Sequence, residues 1–153
     1  MSEVEFELKT PIEVHTMSGG REERASGKLI SASPALFDEQ SAVKTYFWKA
    51  IGKMNSESTA SAEEVEKAKK EVEEDSKGID AESVLIILYG NLTPADVKNC
   101  FSSFKSMLAK GCMAIDDVKV DSAVVNKLYP DDLEKLLGLY IANFTKFGKT
   151  SQN

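Results

Sequence analysis

The run PDDLEKLLGLYIANFTKFG, Pro130–Gly148, restricts the fold more than any other stretch of this chain. At about 100° per residue, Leu133, Leu136, Leu137, Tyr140, Ile141, Phe144 and Phe147 fall within an arc of roughly 140°. Glu134, Lys135, Ala142, Thr145 and Lys146 take the other side. Pro130, Asp131 and Asp132 put a proline and two acids in the first turn, and Gly148 beside Lys146 makes a stop. The acidic doublet reads as helix capping. A helix with so broad an apolar stripe has to be covered by other elements.

Those elements are legible upstream. Val4, Phe6 and Leu8 alternate with Glu3, Glu5, Glu7 and Lys9, the pattern of a half-buried strand. Pro11 interrupts and Ile12 and Val14 resume, which predicts an edge strand. Ser18–Gly19–Gly20 is a turn signal, and a weaker strand is expected around Ala25–Ala32 on Leu29 and Ile30. From Asp38 to Met54 the period becomes helical, with Val43, Tyr46, Phe47, Ala50, Ile51 and Met54 on one face. Trp48 lies off that stripe, near the angle of Phe37. It either covers a second neighbour in the fold or offers an aromatic contact to a partner.

Residues 55–60 are small and polar, and Ser61 to Glu64 form a capping box for a charged helix, Ala62–Asp75. Asp80 caps a helix through Tyr89 that Gly90–Asn91 ends. Val84–Leu88 within it is apolar on every side, which places it centrally; periodicity alone fits a buried strand too, and the caps favour helix. Thr93-Pro94-Ala95-Asp96 starts the next helix, whose Val97, Cys100, Phe101, Phe104, Met107 and Leu108 share roughly 120° before Gly111 stops it. Met113–Val120 reads as irregular or briefly extended, and Asp121 as the cap of a short helix, Ser122–Leu128.

The fold expected is α+β and predominantly helical, a small N-terminal antiparallel hairpin or sheet with about five helices. Its segments are 1–54 (hairpin plus helix), 55–78 (charged linker helix), 79–148 (helical region) and 149–153 (tail), in one folded unit.

Chemistry is scarce. His15, the single histidine, sits at a strand end beside a glycine turn and reads as a surface side chain. Cys100 and Cys112 lack the paired spacing of a zinc site and read as two reduced, buried thiols. Neither Asp116–Asp117 nor Asp131–Asp132 resembles a calcium loop, and Ser18–Gly19–Gly20–Arg21 lacks the lysine of a phosphate loop. No cofactor, metal or catalytic set is expected, and an enzyme built on His15 is the weakest reading. A net charge of −6, with only Arg21 and Arg24 as arginines, disfavours nucleic acid and anionic membranes. The acidic, alternating N-terminus is unlike a secretory signal, and no run approaches the ~20 apolar residues of a membrane span. Candidate partner contacts are Trp48, Phe37 and Leu139, which lie outside the main stripes, and the aromatic end at Tyr140, Phe144 and Phe147.

Two stretches carry a resemblance. FELKTPIEV, Phe6–Val14, resembles the opening of tail assembly chaperones of long-tailed bacteriophages, with an alternating strand and a K-x-P-I turn. LYPDDLEKLLGLYIANF, Leu128–Phe144, is similar to their closing helix with its Y-I-x-N-F end. About 26 residues carry the motifs, and the order of elements between them is compatible. The resemblance implies a non-enzymatic, self-associating protein of the host cytoplasm. It would bind the tape measure protein and pass it to the tail-tube protein. The alternatives are a structural tail or neck component and a generic helix-binding adaptor.

Overall fold

The computed structural model describes residues 3–56 and 80–145. The fold is α+β and mostly helical, a three-stranded antiparallel sheet with five helices among the described residues. Strand β1, Glu3–His15, pairs with β2, Arg21–Ile30, and a two-residue β3, Met113–Ala114, pairs with Lys28 and Leu29 on the far side of β2. β2 begins earlier than its apolar residues indicate, because Arg21–Arg24 pair with β1 through the backbone without an alternating pattern to betray them. Phe6, Leu8, Ile12 and Val14 are buried while Glu5, Glu7 and Glu13 face solvent, as period-2 alternation requires. The turn at Ser18–Gly20 is closed by Thr16, whose N–H donates to Gly20 O at 2.8 Å; Gly19 takes φ 110°, a conformation suited to glycine. Gly27 is under β3: a Cβ there would stand 2.5 Å from Ala114 O and 2.8 Å from the Phe6 ring.

The register of the hairpin breaks once. Glu7 pairs with Ser26 and Ile12 with Arg24, so Leu8, Lys9, Thr10 and Pro11 stand opposite Ala25 alone. The inserted stretch preserves the alternation, which is why Leu8 and Ile12 both point inward.

A 3-10 turn, Pro34–Leu36, leads into α1, Phe37–Ser56. Helix α2, Ala81–Asn91, is capped by Asp80, whose carboxylate accepts the Ser83 N–H at 2.8 Å. Helix α3, Pro94–Met107, is capped by Thr93, whose hydroxyl accepts the Asp96 N–H at 3.1 Å. A π-type turn, Leu108–Cys112, follows and is reversed at Gly111, φ 127°, so the α-helix ends three residues before the lysine that precedes that glycine. Asp121 caps the short α4, Ser122–Val125, and α5 spans Pro130–Phe144. Helix α1 runs antiparallel to α3: Lys110, in the π-type turn after α3, bonds Glu39 at 2.8 Å, and Lys49 bonds Asp96 at the start of α3 at 2.7 Å.

The core joins the inner sheet face to Val43, Phe47, Val84, Phe104, Met107, Leu136, Leu137, Tyr140 and Ile141. Helices α2 and α5 meet closely because residue 138 is glycine; a Cβ there would lie 2.5 Å from Ala81 O. Three expectations change. Val84–Leu88 is helical, yet it is not enclosed on every side: Val84, Ile87 and Leu88 are buried, while Ile86 is 68% exposed. Asp132 does not cap α5, since Tyr129 holds the N-cap position with no side-chain cap bond. The short helix after Asp121 stops at Val125 instead of reaching Leu128. The charged stretch 62–75, residues 146–148 of the closing run and the tail 149–153 lie outside the described residues, and α5 itself ends at Phe144.

Candidate partner-binding surface

The candidate surface is apolar side chain that the core of the described residues leaves exposed. On α1, Phe37 is 70% and Trp48 47% exposed, while Phe47 next to Trp48 is fully buried. Eleven positions apart, Phe37 and Trp48 lie within roughly 20° of one another around the helix and ~16 Å apart along it. They mark one face and are too distant to touch.

The closing helix divides its candidates. Tyr140 is fully buried; its ring packs against Phe104 at 5.8 Å and Phe144 at 5.0 Å, and its hydroxyl donates to Gln40 of α1. Burial, with the Cys112 thiol a lesser contributor, pushes the Tyr140 phenol well above its usual range. It is a core side chain, and the expectation of Tyr140 as a contact gives way to that packing. Leu139 and Phe144 are half-buried and pack against the core. Phe147 lies outside the described residues.

The pattern of the sequence concealed a second exposed face. Ile86 and Tyr89 on α2 are 68% and 49% exposed. Tyr89 is held from two sides: its ring stacks on Phe101 of α3 at 6.4 Å, and its hydroxyl donates to Glu134 of α5 at 2.6 Å. Partial burial and then the Glu134 carboxylate raise its pKa to about 12. The available signal was Glu82, which lies one turn before Ile86 and marks that side of the helix as wet. Met17 and Tyr129 are also exposed.

His15 is an exposed residue at the end of β1. Cys100 and Cys112 are free and buried, and burial pushes their thiols up to about 12 and about 11. A cleft of about 520 Å³ beside β2 is lined by Glu5, Phe6, Glu7, Arg24, Lys28 and Asp116 among others. Among the described residues no group of three His, Cys, Asp or Glu is placed to hold a metal ion, and no helix is long and apolar enough to cross a membrane. Comparisons of the chain with protein-family models, curated proteins and solved structures gave no significant match.

Proposed function

We propose that this chain is a non-enzymatic tail assembly chaperone of a long-tailed bacteriophage. It binds and solubilises the tape measure protein in the host cytoplasm and helps recruit tail-tube subunits. The observation that carries the reading is that the two stretches behind the resemblance are one constellation in space. Asp132, from the closing motif, accepts the N–H groups of Lys9 at 2.7 Å and Thr10 at 3.1 Å, both inside the opening motif. Lys135 adds a bond to Glu7 O at 2.9 Å. The exposed faces at Phe37–Trp48 and Ile86–Tyr89 supply apolar contacts for a helical partner, and a net charge of −6 keeps a loaded complex dispersed.

Co-expression with the tape measure protein of the same genome tests the proposal. A soluble, co-purifying complex is the expected result. Unchanged solubility and no complex would overturn it. Mass spectrometry of purified particles separates the chaperone from a structural tail or neck component: a chaperone is absent, whereas stoichiometric presence assigns the chain to the particle.

A further inference from the structure

We infer that the solvent face of α2, centred on Ile86 and Tyr89, docks an amphipathic helix of another protein that carries Lys or Arg beside its apolar stripe. Glu82, Ile86 and Tyr89 fall within roughly 60° around α2 and span ~10 Å along it, the footprint of two turns of a partner helix. The anchor is fixed in advance. Tyr89 is held by the Phe101 ring and the Glu134 carboxylate, so little rotamer freedom remains to be lost on binding.

Charge selects the occupant. Glu82 is an exposed acid at one end of the stripe, and Glu134 lies at the other, bonded to the Tyr89 hydroxyl. Neither joins an ion pair among the described residues. A second copy docked here about a two-fold axis would bring these acids together around a shared apolar centre, and like charges so placed oppose association. An anionic membrane meets the same repulsion. A helix with apolar residues at i, i+3 and i+4 flanked by basic ones satisfies both the apolar centre and its acidic rim.

The inference rests on the helix-binding face that the chaperone reading already uses, and adds the charge of the helix it accepts. It is tested on the full chain with two labelled peptides of about 18 residues. Both carry Leu at i, i+3, i+4 and i+7; one carries Lys at the flanking positions and the other Glu. Fluorescence anisotropy is expected to show binding of the Lys peptide and none of the Glu peptide. Ile86→Ser should weaken binding about ten-fold, by removing a buried aliphatic contact. Glu82→Lys should weaken it about three-fold and flatten its salt dependence. His15→Ala, at the exposed end of β1, should leave it unchanged.

Equal affinity for the two peptides, or equal binding by wild type and Ile86→Ser, would overturn the inference. So would self-association of the wild type that Ile86→Ser abolishes. Since no tape measure protein enters the measurement, its failure leaves the co-expression result intact, and the reverse holds too.

Discussion

The Asp132 carboxylate accepts the backbone N–H of Lys9 at 2.7 Å across 123 positions of sequence. Its second oxygen accepts the N–H of Thr10 at 3.1 Å. Both donors lie in the stretch of β1 that stands opposite Ala25 alone, where the hairpin ladder is interrupted. Asp132 is itself only 2% exposed, so the first turn of α5 replaces the missing ladder with charge-assisted bonds. Asp132→Ala leaves two donors without that acceptor and should cost about 2–4 kcal/mol. Asp132→Asn keeps one acceptor and should cost roughly half as much. Urea denaturation of the two variants measures both, and a loss of under ~0.5 kcal/mol for Asp132→Ala would show the staple to be idle.

Glycine matters differently at two helical positions. Gly138→Ala would set a methyl 2.5 Å from Ala81 O and 3.0 Å from Ala81 Cβ, forcing α5 away from α2. A loss of about 2–3 kcal/mol is expected, as for overpacking of a fixed contact. Gly90→Ala on α2 meets nothing within 4 Å and should instead stabilise by roughly 0.5 kcal/mol, through helix propensity. Thermal melts of the pair should move in opposite directions.

Phe47 and Trp48 are neighbours with opposite duties. Phe47→Ala opens a cavity in the core and should cost about 3–5 kcal/mol. Trp48→Ala, at 47% exposure, should cost under about 1 kcal/mol and lower the yield of co-purified tape measure protein. A Trp48→Ala variant that melts like Phe47→Ala would place that indole in the structural framework instead.

The thiols make alkaline pH destabilising. In the folded chain Cys100 and Cys112 hold their protons to about 12 and about 11, whereas an exposed thiol releases its own near 9. A raised folded-state pKa means the stability is complete below the unfolded value and is lost as pH climbs toward the folded one. Folding stability should therefore decline from about pH 9 upward. Replacing both cysteines by Ala or Val should flatten that decline in denaturation curves taken from pH 8 to 11. At pH 8 a thiol reagent should label the native wild-type chain far more slowly than the unfolded one.

Much of the fold was legible because its signals are local. Asp80, Thr93 and Asp121 announce helices by bonding N–H groups three positions on, within reach of their own side chains. Alternation in β1 and the stripe of α5 predicted buried faces, because strand and helix periods act on neighbouring residues. The candidate surface was legible only in part. Phe37 and Trp48 fell outside the α1 stripe and are exposed, but Tyr140 belonged to its stripe and is buried. Ile86 was hidden within an unbroken apolar run that offered no periodicity to read.

Composition and periodicity by themselves determined the α+β class, the helix starts and the apolar character of Pro130–Phe144, the described part of the stretch that most restricts this fold. Tertiary structure alone decided that Asp132 serves β1 instead of its own helix, that Met113–Ala114 completes the sheet, and that α2 turns Ile86 and Tyr89 outward. Caps and periods are set within a turn or two of chain. Pairing of distant backbone, and the choice of which apolar residue goes uncovered, depend on how whole elements pack, with positions such as Gly138 setting how closely they approach.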